Sequence, residues 1–567
     1  MGKNAKAIQQ GMDRRAWLKG AATLAGGTSV FAVGCSTENK VAAAASDTTI
    51  VVTDTSPVVE TSAGKVRGFT RNGIHTFKGI PYGATTEGAA RFLAPQKPQP
   101  WTGIRSSMYY GPTCPQAPRA GWKNDEGAFL FQWDDGQPGE DCLRVNLWTP
   151  GLDNSKRPVM VWLHGGGFAA GSGQEQPAYN GENLSRRGDV VVVSLNHRLN
   201  MLGYLNLAAY SGKFADSGNA GMLDLVLALE WVHDNIAGFG GDPANVLIFG
   251  QSGGGAKVST LMVMPAAKGL FHKAVVESGS SLRQGTPEAS SKAAASLVAE
   301  LGLSKANIDK IQTLPYSKLL EAQDAATKKL TASGAAAPGP MGPRLAIGPY
   351  VDGKHVPAHP FDPTAPAISA SVPMIIGTVL NESSPSMANP DLEAMTEDDM
   401  RKRAEQRYHD KAGMVVDAYR KAYPSVKPVE LLSRLMSVRT NAVTQCERKA
   451  AQGAAPCWNY LFAWQTPILS GRPRAFHCSE IPFVFYNTDV SAFATGGGPG
   501  PRELAAKVSD AWINFARKGD PNHTGLPNWP KYDAANGPVM IFDNTCEVKN
   551  DPDRDLRKVV AEATAAS

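Results

Sequence analysis

Short runs of hydrophobic residues recur along the chain, each bounded by glycine, proline or polar residues. Runs of this length are typical of strands that are buried on both faces of a sheet. We predict such strands at residues 158–163, 189–195, 246–249, 273–278, 374–377 and 458–464. Between residues 51 and 68 apolar and polar residues alternate instead, which predicts hairpins at a sheet edge.

Apolar residues at helical spacing lie between these runs. They predict helices at residues 220–235, 256–264, much of 286–330, 391–439 and 507–517, the last being the final helix. Strands that alternate with helices form a parallel sheet covered by helices. The predicted fold class is therefore α/β, with residues 391–439 as a helical cap and the Pro/Gly/Ala-rich residues 331–343 as a loop.

Composition separates the start of the chain from the rest. The 567 residues are 42% hydrophobic and 19% charged, as in soluble globular proteins, and we expect residues 46–567 to form a single domain. Residues 13–19 (DRRAWLK) resemble a twin-arginine export signal, and the apolar segment that follows at 21–33 is too short to span a membrane. We predict an export signal in residues 1–45 and a periplasmic or extracellular protein.

Two interpretations of the end of this signal stay open. Residues 32–35 (AVGC) match a lipobox that would place a lipid anchor on Cys35, although the usual leucine three residues before the cysteine is missing. Alternatively, cleavage falls near residues 43–45, and Ser46 begins a flexible segment.

Most of the positive charge belongs to this leader. The whole chain has a formal net charge of +5, and residues 1–35 contribute +4, from five lysines and arginines against Asp13. Because the remainder is close to neutral and has no basic run interleaved with aromatic residues, we expect no nucleic-acid partner.

Seven cysteines are consistent with an oxidising compartment. Besides Cys35 they comprise two pairs that each bracket a loop and two further residues, in the order Cys114 and Cys142, Cys446 and Cys457, then Cys478 and Cys546. The pairing of the last four stays open, as does the oligomeric state. No Cys-x-x-Cys spacing or Cys/His cluster points to a metal.

The strand predicted at 246–249 leads into the glycine-rich turn Gly250-Gln251-Ser252-Gly253-Gly254. A strand, a Gly-x-Ser-x-Gly turn and a helix together form a nucleophile elbow, which presents the serine hydroxyl at the C-terminal edge of the sheet. In a chain with 57 glycines the bare pattern can arise by chance. The strand before it and the helix after it favour Ser252 as a nucleophile.

A serine nucleophile needs a base beside it and an acid behind the base. In α/β hydrolases these follow in the order serine, acid, histidine. Glu382 lies just after the strand predicted at 374–377, and His477 follows the strand predicted at 458–464, so we favour this pair. The alternatives in the same part of the chain are Asp352 as the acid and His355, His359 or His409 as the base.

A pocket for the oxyanion is predicted where His164-Gly165-Gly166-Gly167 follows the strand at 158–163. Glycines allow the main chain to turn its N–H groups toward a substrate oxygen, and the amide of Gly253 would join them. The competing interpretation of a triple glycine is a flexible turn.

Taken together, these motifs resemble the type B carboxylesterases, a family that includes cholinesterases and bacterial para-nitrobenzyl esterases. The resemblance extends from about residue 64 to 530 and rests on FKGIPYG, EDCLRVNLW, HGGGF, GFGGDPANVLIFGQSGGG and HCSEIPFVF. It implies an α/β-hydrolase fold with helical insertions. The implied function is a serine carboxylic-ester hydrolase without a cofactor, which acts on small-molecule esters through an acyl-enzyme.

Residue by residue, the resemblance implies a catalytic triad, an oxyanion hole, a serine that holds the acid, and one disulfide. The corresponding residues are Ser252, Glu382 and His477 for the triad, Gly166, Gly167 and Gly253 for the oxyanion hole, Ser278 behind the acid, and Cys114 with Cys142 for the disulfide.

The chain also departs from the family pattern. Family elbows usually read Gly-Glu-Ser-Ala-Gly, but here Gln251 and Gly253 replace the glutamate and the alanine, and Cys478 replaces a glycine after the base. Gln132 stands where choline esterases carry a tryptophan, so we do not expect a choline esterase. Two other functions stay open: an amidase or peptidase with the same triad, and a non-catalytic binding protein of the same fold.

Overall fold

The computed structural model describes residues 49–117, 124–333 and 344–565. The predicted export signal, Cys35 and most of the loop predicted at 331–343 therefore lie outside the described residues. The described residues from Thr49 onward belong to one compact unit that spans residues 47–567.

The strands of the described ranges form one large sheet and one small one. In chain order they are β1 (Ile50–Val51), β2 (Val58–Thr61), β3 (Gly64–Arg67), β4 (Phe69–Arg71), β5 (Ile74–Pro81), β6 (Ile104–Ser106), β7 (Arg144–Thr149), β8 (Arg157–Leu163), β9 (Val191–Leu195), β10 (Gly241–Gln251), β11 (Lys273–Glu277), β12 (Met374–Val379), β13 (Cys457–Phe462), β14 (Pro538–Phe542) and β15 (Glu547–Asn550).

The large sheet has a parallel centre and antiparallel edges. Its order is β1-β4-β5-β7-β9-β8-β10-β11-β12-β13-β14-β15, and the small sheet has the order β2-β3-β6. All neighbours from β9 to β14 pair in parallel, whereas β15 and the strands from β1 to β7 pair antiparallel with their neighbours in the large sheet. The carboxyl ends of the parallel strands therefore meet at one edge, where ligands bind in open α/β sheets.

Helices cover both faces of this sheet. Within the described ranges the α-helices are α1 (Asp125–Phe131), α2 (Glu182–Gly188), α3 (Asn200–Tyr204), α4 (Ala220–Asn235), α5 (Gly253–Leu261), α6 (Pro287–Glu300), α7 (Tyr316–Ala332), α8 (Glu397–Tyr408), α9 (Ala412–Ala422), α10 (Pro428–Leu435), α11 (Arg439–Ala451), α12 (Ile481–Val484), α13 (Ala492–Thr495), α14 (Pro499–Lys518) and α15 (Arg554–Ala565).

The central strands are hydrophobic along their whole length because each face of the sheet has its own core. In β8, Val159 and Val161 join a core that includes residues of α4 and α5. Met160 and Trp162 point the other way and pack with residues of α14. Alternate side chains of a strand face opposite sides of the sheet, so a strand covered on both sides reads as a continuous apolar run.

Most predicted elements are present, with shifted ends. Each predicted strand is found, and the helix at 220–235 has the predicted bounds. The helix predicted at 256–264 begins earlier, at Gly253, directly after the turn. The helices predicted at 391–439 are present, and α8, α9 and α10 share a separate apolar cluster with α15.

The prediction that residues 507–517 form the final helix is wrong. The strands β14 and β15 and the helix α15 follow α14 and complete one edge of the large sheet. None of the helices in the described ranges combines the length and the apolar character that a membrane span requires.

Candidate active site

Ser252 lies in a sharp turn between β10 and α5. Its φ of 57° and ψ of −121° are strained for a residue with a side chain. The turn is feasible because glycines flank it. A Cβ on Gly250 would lie 2.5 Å from the carbonyl oxygen of Leu163, and a Cβ on Gly254 would lie 1.9 Å from the same oxygen. The strand-turn-helix geometry predicted for the elbow is therefore present.

Backbone hydrogen bonds hold this turn in place. The amide of Ser252 donates to the carbonyl of Glu277 in the neighbouring β11 at 2.8 Å, and the amide of Ala256 donates to the carbonyl of Ser252 at 3.1 Å. Gly253 is the first residue of α5, where an N–H group has no acceptor within the helix. The positive end of the helix dipole also lies there and favours negative charge.

The glycine loop after β8 lies against the elbow. Gly166 and Gly167 have φ values of 80° and 63°, which a residue with a side chain would adopt only with strain. A Cβ on Gly253 would lie 2.4 Å from the amide nitrogen of Gly167, so the two backbones are in close contact. The buried Lys257 of α5 donates to the carbonyl of His164 at 2.8 Å and fixes the start of the loop.

A short pairing between two loops brings Glu382 and His477 together. Asn381 forms an isolated parallel bridge with Phe476, and its amide donates to the carbonyl of Ala475 at 3.0 Å. These residues directly precede Glu382 and His477, so the two side chains emerge next to each other at the carboxyl ends of β12 and β13.

Glu382 and His477 form a short hydrogen bond. The distance between Nδ1 of His477 and Oε2 of Glu382 is 2.5 Å, and Oε1 of Glu382 accepts a hydrogen bond from the amide of Val379 at 3.2 Å. The Glu382 side chain is 4% exposed and the His477 side chain 29%. With Nδ1 engaged by the carboxylate, Nε2 is the ring nitrogen that can exchange a proton with a substrate or a hydroxyl.

The pKa of His477 is raised above its ordinary value. Burial lowers it, but the charge of Glu382, its hydrogen bond and the nearby Glu480 together outweigh burial. The Ser252 hydroxyl forms no hydrogen bond with a described residue. In hydrolases without substrate, the hydrogen bond between a serine nucleophile and its histidine base is often long and tightens only in the complex with substrate.

Ser278 has a different partner from the one that the family resemblance implies. Its hydroxyl donates to Oε1 of Glu480 at 3.4 Å, and it accepts from the amide of Val379 at 3.3 Å. That amide also donates to Glu382, so Ser278 and the acid share a donor. Direct contact is not needed because both Glu382 oxygens already have partners.

Two further buried carboxyl groups lie behind the acid. Burial, reinforced by the charge of Glu382, raises the pKa of Glu480 to about 8. Burial and Glu480 raise the pKa of Glu277 well above its usual range, and Glu277 accepts a hydrogen bond from Trp512. Glu480 is therefore largely protonated at neutral pH. Glu480 lies in the His-x-x-Glu segment of the sequence, but its burial could not be read from that pattern.

Sequence reasoning also missed a contact between two departures from the family pattern. The Gln251 amide nitrogen lies 3.3 Å from Nδ1 and 3.4 Å from Nε2 of His477. The Cys478 thiol donates to Oε1 of Gln251 at 3.0 Å. Because Gln251 directly precedes Ser252, these contacts place the imidazole beside the elbow.

The alternative acid and bases have partners elsewhere. Asp352 accepts a hydrogen bond from Asn219, and His355 pairs with Asp216 at 2.7 Å. The ring of His359 accepts from the backbone of Gln284. His409 caps the end of α8 at the surface.

The six described cysteines are buried, and none forms a disulfide. The two thiols of each loop-bracketing pair nevertheless lie close together, because Cys114 raises the pKa of Cys142, and burial together with Cys457 raises that of Cys446. No cluster of three or more potential metal ligands occurs within the described ranges.

Comparison with known proteins connects this geometry to a family. The model of the carboxylesterase family matches residues 55–557. The para-nitrobenzyl esterase of Bacillus subtilis (strain 168) is 35% identical over 513 residues, which cover 89% of this chain and 98% of that protein.

The chain belongs to the carboxylesterase family. The phenmedipham hydrolase of Pseudarthrobacter oxydans is 32% identical over 510 residues, covering 88% of this carboxylesterase and 97% of that protein. A solved structure of an esterase from Clostridium hathewayi that can hydrolyse aliphatic aromatic polyesters superposes with a TM-score of 0.78 at 37% identity. The superposed region covers 91% of this chain and 99% of the chain in the solved structure.

Two predictions are confirmed by these relatives: the α/β-hydrolase fold and an enzyme that hydrolyses carboxylic esters. Of the alternatives left open by the sequence, a non-catalytic binding protein is therefore wrong. The roles of individual residues in the site are a separate question.

Proposed function

We propose that this carboxylesterase works through an acyl-enzyme, with Ser252 as the nucleophile, His477 as the general base and Glu382 as the acid that orients the base. The observation that carries the proposal is the 2.5 Å contact between Nδ1 of His477 and Glu382. It leaves Nε2 as the proton acceptor beside the residue that precedes Ser252.

In the first half of the reaction, Nε2 of His477 takes the proton of the Ser252 hydroxyl as its oxygen attacks the ester carbonyl. The amides of Gly166, Gly167 and Gly253 stabilise the tetrahedral oxyanion. His477 then protonates the leaving alcohol. In the second half, the same histidine activates a water molecule that releases the acid, and Glu382 stabilises the imidazolium in both steps.

A burst experiment with a 4-nitrophenyl ester tests the nucleophile. The wild-type enzyme should release a burst of 4-nitrophenol close to one equivalent when deacylation is slow, and Ser252→Ala should abolish it. Ser259→Ala removes a hydroxyl that donates to the Gly255 carbonyl within α5 and accepts from Gln445 of α11; it is the matched control and should keep the burst. A full burst from Ser252→Ala at unchanged thermal stability would remove Ser252 from this role.

We further propose small, uncharged esters as substrates. The para-nitrobenzyl esterase and the polyester-degrading esterase among the relatives suggest esters with an aromatic portion as first candidates. A panel that varies the acyl and alcohol parts independently, with a matched amide for each ester, would rank kcat/KM. A preference for the amides would favour an amidase instead.

We also propose that residues 1–45 direct export and that the paired cysteines oxidise after it. Supporting this are the twin-arginine pattern and the adjacency of Cys114 to Cys142 and of Cys446 to Cys457. Replacing both leader arginines by lysine should retain the enzyme in the cytoplasm of a bacterial host. Export that persists in this variant would contradict the assignment.

Mass spectrometry of the exported enzyme tests the remaining processing steps. Peptide masses after alkylation without reduction should show two disulfides, and alkylation of all four thiols would contradict them. The mass of the N-terminal peptide decides between a lipid on Cys35 and cleavage near residues 43–45.

A further inference from the structure

The carboxamide of Gln251 lies between the imidazole of His477 and the thiol of Cys478. Its nitrogen is 3.3 Å and 3.4 Å from the two ring nitrogens, and its oxygen accepts from the Cys478 thiol at 3.0 Å. Gln251 and Cys478 are buried. Both are departures from the family sequence, and they contact each other across 227 positions of the chain.

The nearly equal distances place the amide nitrogen against the face of the imidazole. The lone pair or N–H bond of each ring nitrogen lies in the ring plane and points away from the other nitrogen. A donor equally close to both in that plane would collide with the C–H group between them. Nδ1 is also already engaged by Glu382. The carboxamide N–H therefore points at the π-face of His477.

The thiol selects which end of the carboxamide faces the ring. A carboxamide can turn its oxygen or its NH₂ group toward a neighbour, and the hydrogen-bond network decides between them. Because the Cys478 S–H group donates, it binds the oxygen and directs the NH₂ group to His477. Burial raises the pKa of this thiol well above its usual range, so it remains a donor at neutral and mildly alkaline pH.

The orientation of the Gln251 amide matters because the other polar groups near the His477 ring are carboxyl groups, whose negative charge acts in the opposite direction to a positive N–H dipole. Glu382 and Glu480 act on His477, and Glu175 lies close to Cys478 as well. Of these carboxyl groups, Glu382 favours the imidazolium most strongly, and Glu480 adds to its effect once it loses its proton. An N–H dipole with its positive end against the ring face instead favours the neutral ring, since the face carries partial negative charge. An amide oxygen in that position would favour the imidazolium.

We propose that Cys478 is a positioning residue for ester hydrolysis: its thiol fixes the Gln251 carboxamide, whose NH₂ group then holds His477 in the neutral, proton-accepting form. This assignment rests on the proposed role of His477 as the base. It gives the cysteine a reason to occupy a backbone conformation with φ of 77°, where the family usually has glycine.

The pH dependence of kcat/KM for an uncharged 4-nitrophenyl ester tests this role. Cys478→Gly removes the donor and relieves the backbone strain, so the enzyme should fold. The amide can then rotate its oxygen toward the ring, and the acid limb should move up by about half to one pH unit, with little change in kcat on the alkaline plateau. Cys478→Ser keeps a donor and should leave the limb near its wild-type position.

Two further variants make the result specific. Cys546→Ala removes another buried thiol, which bonds the carbonyl of Asp543, and should not move the acid limb. In a Gln251→Ala background, Cys478→Gly should have no additional effect on the limb, because the thiol acts only through the carboxamide.

An acid limb that stays within about 0.2 pH unit of wild type in Cys478→Gly would overturn the positioning role. If Ser252→Ala still abolishes the burst in that case, the proposed triad stands and only the role of Cys478 fails. A loss of thermal stability and of plateau kcat with an unmoved limb would show a merely structural role and also overturns the proposal.

Discussion

Replacing Gly253 by alanine should disable the proposed oxyanion hole, although alanine is the usual family residue at this position. Gly253 begins α5 and has no positive φ, so its backbone accepts alanine without strain. The obstacle is the neighbouring loop. The new methyl group would lie 2.3 Å from the carbonyl oxygen, 2.4 Å from the amide nitrogen and 2.5 Å from the Cα of Gly167.

The size of the effect follows from these distances. Nonbonded contacts of carbon lie near 3.5 Å, so the loop that carries Gly166 and Gly167 must withdraw by about 1 Å. An oxyanion donor works within a window of a few tenths of an ångström, and losing one costs about 10²–10³-fold in kcat. We therefore expect Gly253→Ala to lower kcat by at least about 10²-fold with KM nearly unchanged, because these amides act mainly on the transition state.

Steady-state and burst kinetics with a 4-nitrophenyl ester, together with thermal unfolding, measure this effect. Gly413→Ala in α9 is the control, because a Cβ there has no heavy atom within 4 Å, and it should leave kcat unchanged. Since Gly166 is exposed and its loop can yield, Gly253→Ala should unfold close to the wild-type temperature. A kcat within twofold of wild type would refute the reasoning and would show that the loop adjusts without losing a donor.

Three other variants test the electrostatics of the fold and the site. Glu382→Gln removes the largest influence that raises the pKa of His477, so the acid limb of kcat/KM should move to lower pH and kcat should fall roughly 10³-fold; an unmoved limb would contradict this. Arg198→Met should lower the free energy of unfolding by about 3–5 kcal/mol in urea titrations, because it strands Asp224 (0% exposed) without its partner at 2.6 Å; a loss below about 1 kcal/mol would contradict this. For Glu480, the pKa rises from 4.5 to about 8 on folding, so its contribution to stability is present below pH 4.5 and is lost as the pH rises toward 8. The unfolding temperature of Glu480→Gln should therefore rise relative to wild type across this interval, and a constant difference would show that Glu480 does not titrate there.

The elements of this fold that sequence predicts well are those whose physical constraint is local. Gly250 and Gly254 are needed because a Cβ at either position would meet the carbonyl of Leu163, and the sequence shows that need directly as glycine. The parallel strands are apolar throughout because both of their faces are covered. The positions of Glu382 and His477 follow from the rule that active sites lie at the carboxyl ends of such strands.

The elements that sequence misses depend on distant partners. β15 reads EVKN and is largely exposed, so it has no apolar pattern, and it is a strand only because it pairs with β14 at the sheet edge. β14 is a five-residue apolar run, which sequence alone does not distinguish from a helix segment. The hydrogen bond of Ser278 to Glu480 spans 202 positions, and nothing local to either residue specifies it.

The same distinction explains why two departures from the family pattern, Gln251 and Cys478, look independent in the sequence and are in contact in space. Gln251 contacts His477, and Cys478 contacts Gln251; a third departure, Gly253, lies against Gly167 of the glycine loop after β8. An ionised glutamate in place of Gln251 would add a negative charge beside an imidazole that already has Glu382 as its partner. A protonated glutamate would avoid that charge, but its proton could occupy the oxygen that accepts from the Cys478 thiol. The carboxamide does not titrate, so it offers an acceptor to Cys478 and a donor to His477 whatever the protonation of the neighbouring carboxyl groups.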